Sequence, residues 1–129
     1  MELIYSTQIN KIGDNANEFL QHNMFVTFKD NAPQELENYC YIHSENNLVK
    51  EILTDDVLSI NNVDYKITSV GELVNQNLSE LGHITFKFTG EKDGAIGGTL
   101  YLEEKEIAPI GVGTILKNNL ENKNLKRNL

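Results

Sequence analysis

The sequence predicts a mainly β fold in a single small domain, an antiparallel barrel or rolled sheet carrying one or two short helices. Three observations lead there. Apolar residues recur at alternate positions through most of the chain, the period of a half-buried strand. An Asn61-Asn62 pair separates two such runs as a hairpin turn. Most predicted strands follow turns or short helices, not the long crossover helices of a doubly wound α/β sheet. With 129 residues, 40% of them hydrophobic, the chain can build one core and not two.

The elements follow in order. Leu3 to Asn10 alternates Leu3, Tyr5, Thr7 and Ile9 against Ile4, Ser6 and Gln8, which is a strand with one wetter face. Asp14 or Asn15 can cap a short helix through Ala16, Phe19 and Leu20, and "MFVTFK" (Met24 to Lys29) is the next strand. In "DNAPQELE", Asp30 or Asn31 is a candidate cap and Pro33 sits in a first-turn position, so one helical turn leads into "NYCYIH". Val57 to Ile60 and Val63 to Val70 form the hairpin, since Asn tolerates the positive φ its turn demands. From Gly71 the period becomes helical, with Leu73, Val74, Leu78 and Leu81 at three- and four-residue steps and Gly82 as the left-handed stop. "HITFKFT" then returns to period two, with Ile84, Phe86 and Phe88 on one face and His83 opening the other. A glycine-rich loop, "GEKDGAIGG", leads to a strand in "TLYLEEKEI" and, past Pro109, to a last short strand around "GTILK".

Charge and composition exclude several function classes. A net charge of −8 argues against a nucleic-acid partner, whose phosphates attract basic surfaces. The charge is unevenly placed: residues 117–129 hold four basic residues and one acid, while the preceding 116 hold seven against eighteen, a net −11. The expected division is therefore a folded domain over residues 1–117 and a polar, basic tail over 118–129. No apolar run approaches a membrane span, the N-terminal residues lack the features of a signal peptide, and the single cysteine, Cys40, allows no internal disulfide. These point to a cytoplasmic protein without direct membrane insertion. The only arginine is Arg127, in the tail.

Candidate chemistry centres on the imidazoles. Cys40 and His43 make a C-x-x-H spacing, but no second ligand pair completes a zinc site, and on a strand the two side chains face apart. The same divergence removes a Cys-His nucleophile, leaving Cys40 as a small buried group beside Ile42. No metal or other cofactor is expected. Asp55-Asp56 and Glu103-Glu104 are neighbours in sequence and face apart on an extended chain, so solvated surface charge is the favoured reading. The glycine loop lacks the Lys-Ser/Thr of a phosphate-binding loop. His22 reads as a helix-end residue. His83 and His43 both stand at strand mouths on the polar face, where a hydrogen-bonded spacer and a site residue are both open.

Two segments, "VTFKDNAPQELENYCYIH" and "YKITSVGELVNQNLSELGHITFKFTG", resemble the glucitol/sorbitol-specific enzyme IIA component of the bacterial phosphoenolpyruvate-dependent sugar phosphotransferase system. The likeness runs from about Leu3 to Lys117 and leaves the basic tail outside. It implies a small, mainly β barrel in which the histidine closing the "YCYIH" strand, His43, accepts a phosphoryl group. The implied donor is the phosphorylated carrier HPr and the implied acceptor is the IIB component of a membrane sugar permease. The histidine of "LGHITFKF", His83, is a matching residue and a candidate supporting donor. Some relatives carry a further histidine two positions after the active one, where this chain has Glu45, which leaves His43 as the sole strong acceptor. Without arginine in the body, phosphoryl oxygens would be held by backbone N–H groups, by hydroxyls such as Ser44, by His83, or by a partner's cations. The rival expectation is a non-catalytic β-barrel interaction domain with Tyr39 and Tyr41 as an exposed binding patch.

Overall fold

The structure, a computed structural model, describes residues 2–92 and 97–120. Among the described residues nine strands and three short helices follow one another: β1 (Glu2–Ile12), a 3-10 helix (Ala16–His22), β2 (Met24–Lys29), α1 (Gln34–Glu37), β3 (Tyr41–His43), β4 (Asn47–Leu48), β5 (Val57–Ile60), β6 (Val63–Val70), α2 (Val74–Leu81), β7 (Ile84–Lys87), β8 (Thr99–Leu102) and β9 (Ile115–Leu120). Eight of the strands close into a barrel in the order β1-β3-β2-β7-β8-β6-β5-β9, with β9 returning to β1, and β4 pairs with β1 beside the closure. Closure removes the unpaired edges that an open sheet would expose. Pairing is antiparallel except at β2–β3 and β7–β8, which are parallel. The β2–β3 link manages this with α1 as its only helix, a single turn.

Strand β1 makes closure possible through its length. Its first half lies between β9 and β4, and its second half pairs with β3, Ile9 opposite His43. Two irregularities adjust its phase. One falls between Leu3 and Tyr5, so Ile4 is buried where simple alternation put Leu3; the other falls between Ile9 and Lys11. The hairpin forms at Asn61 and Asn62, both left-handed at φ 46° and 72°, as the mirror-image turn requires.

The barrel interior is packed, not hollow. Phe25 stacks on Phe86 at 4.6 Å and meets the edge of Tyr41 at 5.6 Å, and Phe88 meets the edge of Tyr65 at 5.0 Å. Burying each such ring contributes roughly 1.5–3 kcal/mol. On the outer wall Phe28, Cys40 and Ile42 form a second small cluster, so β3 is buried on both faces. Cys40 therefore sits beside Ile42 as expected. Tyr41 does not form a surface patch with Tyr39: its ring is wholly buried and Tyr39 alone is exposed. Alternation separates two faces of a strand but does not say which one is wet.

Helix capping also differs from expectation. Residue Pro33, not Asp30 or Asn31, occupies the N-cap of α1, and the helix after Asn15 is of 3-10 type with no side-chain cap. The boundary drawn at 117/118 moves as well. Strand β9 continues to Leu120, and Asn118 is fully buried opposite Tyr5 and Leu58. A run of Lys and Asn carries no apolar period, yet the closing strand of a barrel takes its pairing from both neighbours. Residues 121–129 of the expected tail, and residues 93–96 of the glycine loop, lie outside the described residues. Among the described residues no helix is long and apolar enough to cross a membrane, and no three His, Cys, Asp or Glu side chains come together as a metal site.

Candidate functional site

His43 is the last residue of β3, with Ile9 of β1 on one side and Lys29 of β2 on the other. Its phase on β3 turns the imidazole inward with Tyr41, and its exposure is 0%. A polar ring so enclosed needs partners for both nitrogens. Nδ1 lies 2.8 Å from Thr7 Oγ1 and 3.3 Å from the Glu45 carbonyl oxygen, while Nε2 lies 2.8 Å from the Gly82 carbonyl oxygen. Because a carbonyl can only accept, the resting ring carries a hydrogen on Nε2. The Thr7 hydroxyl, itself buried, lies between Nδ1 and the Glu45 carbonyl, and its single hydrogen goes to one of them at a time.

The end of α2 covers the ring. Gly82 ends the helix at φ 61°, and a Cβ there would fall 2.6 Å from His43 Cε1 and 2.8 Å from Nε2. Glycine thus serves twice, once for the left-handed turn and once for the approach to the imidazole. The Gly82 carbonyl also accepts from the buried Thr27 hydroxyl at 3.1 Å. Asn46 fastens the loop after β3 to the same helix, donating to the Leu78 carbonyl at 2.6 Å and accepting from Tyr5 Oη at 2.9 Å. Burial pushes the Tyr5 phenol well above its ordinary pKa, an effect partly offset by Thr7, so the phenol keeps the proton it donates.

The other expected residues are placed differently. His83 stands just before β7 with its ring stacked on Phe28 at 4.4 Å, on the outer wall, and Nδ1 donating to the Thr27 carbonyl at 3.0 Å. Its ring helps line a shallow cleft of about 170 Å³ with Asn77, Thr85 and Thr99. His83 and His43 therefore lie on opposite faces of the sheet, joined through the Gly82 backbone, and the structure does not bring the two rings together. Ser44 is exposed, with its hydroxyl accepting from Asn10 Nδ2 at 2.5 Å. Cys40 is buried, which pushes its thiol up to about 11 and keeps it a poor nucleophile at neutral pH. His22 is exposed at the end of the 3-10 helix.

Sequence reasoning missed Thr7, Thr27 and Gly82 as site residues. Their signal was present but faint. Thr7 and Thr27 are polar residues at inward phases of strands whose other inward positions are apolar, Tyr5 and Ile9 in one and Phe25 in the other. An inward hydroxyl needs a buried partner. Which partner each finds depends on contacts 36 and 55 residues away.

Comparisons with known proteins agree on one family. The model of the PTS system glucitol/sorbitol-specific IIA component matches residues 4–117. The PTS system glucitol/sorbitol-specific EIIA components of Shigella flexneri and of Escherichia coli K12 are each 35% identical over 117 residues, covering 91% of this chain and 95% of theirs. A crystal structure of a PTS system IIA component from Enterococcus faecalis V583 superposes with a TM-score of 0.76 at 24% identity, covering 89% of this chain and 99% of that one. This last likeness concerns the fold.

Proposed function

Since the chain belongs to the glucitol/sorbitol-specific IIA component family of the sugar phosphotransferase system, we propose that His43 is the residue that carries the phosphoryl group. As a family member the chain is a phosphotransferase component. The finer reading is a cytoplasmic relay in which phospho-HPr donates to His43 and His43 passes the group to a IIB component serving glucitol/sorbitol uptake. The observation that carries it is the hydrogen-bonded enclosure of His43, with an acceptor on each side of the ring.

We take Nε2 as the acceptor atom. Its partner is a loop carbonyl at a helix end, whereas Nδ1 is enclosed by a barrel strand and by the chain's own turn. Acceptance begins as Gly82 withdraws and the ring's hydrogen resides on Nδ1, where Thr7 Oγ1 and the Glu45 carbonyl can accept it. The Nε2 lone pair then attacks phosphorus. The phosphorus–nitrogen bond of the donor phosphohistidine breaks, its electron pair returns to the donor ring, and no metal enters the step. Such a transfer needs mainly positioning and charge stabilisation. A body with a net charge of −11 before residue 117 favours encounter with a basic carrier surface.

Ser44 and His83 take indirect roles in this reading. Ser44 can turn from Asn10 toward an incoming group at the rim. His83 anchors the strand carbonyl of Thr27, beside the hydroxyl that holds Gly82, and so acts as a positioning residue. The test is incubation with phosphoenolpyruvate, enzyme I and HPr. An acid-labile, base-stable phosphoryl mass is expected on the wild type and on His22→Ala, and none on His43→Ala. Full phosphorylation of His43→Ala would move the site elsewhere, and no phosphorylation of the wild type would favour an interaction domain.

A further inference from the structure

Building on the reading of His43 as acceptor through Nε2, we propose that Thr27 is a catalytic residue whose hydroxyl donates a hydrogen bond to a phosphoryl oxygen during transfer. The Gly82 carbonyl oxygen marks the place. It lies 2.8 Å from His43 Nε2 and 3.1 Å from Thr27 Oγ1. A phosphoryl group bonded to Nε2 carries its oxygens one bond beyond phosphorus, at about hydrogen-bond distance from that nitrogen. One of them falls close to the point that the carbonyl oxygen now occupies. Both cannot be there. When the Gly82 carbonyl leaves, the Thr27 hydroxyl loses its acceptor, and the arriving oxygen replaces it.

This exchange answers a need of the site. The described body contains no arginine, and His83 directs its ring to Phe28 on the other face of the sheet. Thr27 is 1% exposed, fixed on β2 between β3 and β7, and aimed at the correct spot before any ligand arrives. A buried donor already oriented toward developing charge costs no reorganisation at the moment of reaction. Its bond to a carbonyl in the resting state also avoids leaving the hydroxyl unpaired. The donated hydrogen stays on Thr27 throughout, so the balance of the transfer step is unchanged.

The experiment is single-turnover phosphorylation by phospho-HPr of the wild type, Thr27→Val and Thr27→Ser, with the melting temperature of each. Valine keeps the volume and removes the donor; serine keeps the donor. Thr27→Val is expected to accept about 10- to 100-fold more slowly at saturating phospho-HPr, the usual worth of one charge-assisted hydrogen bond, with unchanged dependence on carrier concentration. Thr27→Ser should recover most of the rate. Thr27→Ala, run beside them, keeps the comparison should the valine variant lose its fold. Wild-type rates in the folded variants lacking the hydroxyl, with the group still on His43, would overturn the role of Thr27 and leave the acceptor standing. Loss of phosphorylation at His43 in the wild type would overturn both.

Discussion

Thr7 and Gly82 hold the His43 ring from its two sides, and each makes a prediction. Thr7→Val keeps the shape of the side chain and removes the only hydroxyl within hydrogen-bond distance of Nδ1 among the described residues. Loss of one such bond in a buried site costs about 1–2 kcal/mol, so phosphoryl acceptance should slow roughly 10-fold while the far-ultraviolet dichroism stays unchanged. The nitrogen shifts of His43 should move as well, because Thr7 helps decide which nitrogen carries the hydrogen. A variant with native shifts and rate would make Thr7 a packing residue. Gly82→Ala meets two obstacles at once, a left-handed φ of 61° and a Cβ that would lie 2.6 Å from the imidazole. Backbone strain of about 1–2 kcal/mol and overpacking of about 1–3 kcal/mol should together lower stability by roughly 2–5 kcal/mol in chemical denaturation. Stability equal to wild type would show that the helix end moves aside without cost.

At the scale of elements, the β5–β6 hairpin separates backbone need from side-chain need within one turn. Both asparagines are left-handed, yet Asn61 also accepts a hydrogen bond from the Ile115 N–H at 2.9 Å through Oδ1, tying the turn to β9. Asn62→Gly should change stability by only a few tenths of a kcal/mol, since glycine takes positive φ freely. Asn61→Gly loses the side-chain bond to β9, keeping only the backbone bond from its N–H to the Ile115 carbonyl, and should cost about 1 kcal/mol. Thermal melts of the two variants check the difference, and equal values would assign the turn's preference to φ alone. Strand β3 shows the converse limit. Its three residues are all buried, because Phe28, Cys40, Val26 and Ala32 pack around Ile42 on one face while the barrel interior takes the other. The period-two pattern is correct there and the inference of a wet face is not.

The whole barrel depends on its last strand. β9 closes the sheet between β5 and β1, and Asn118, Asn119 and Leu120 are part of it. Truncation before Asn118 should therefore lower the melting temperature by more than 10 °C or prevent folding, because it removes half of a strand paired on both sides. Truncation after Leu120 should leave the melting temperature within a few degrees, as expected for a polar Asn- and Lys-rich extension. A comparable loss from both truncations would show that residues beyond Leu120 also support the body. Closure of this kind couples the first and last described strands to the site, since the stretch of β1 paired with β9 carries Thr7 and the next stretch pairs with β3 at His43.

By itself, the sequence determined the mainly β class, the hairpin at Asn61-Asn62, the helix ending at Gly82, the strand phases outside the irregularities of β1, and the family, because these rest on local geometry and on motifs read within a few residues. It also singled out His43. The tertiary structure alone decided that the His43 strand is covered on both faces, that Thr7, Thr27 and Gly82 converge on one imidazole, that His83 faces away from it, and that the polar run from Asn118 to Leu120 completes the barrel. Each of these depends on which distant segment supplies the other half of a contact, and a buried hydroxyl or carbonyl shows no preference for its partner until closure of the sheet brings that partner within about 3 Å.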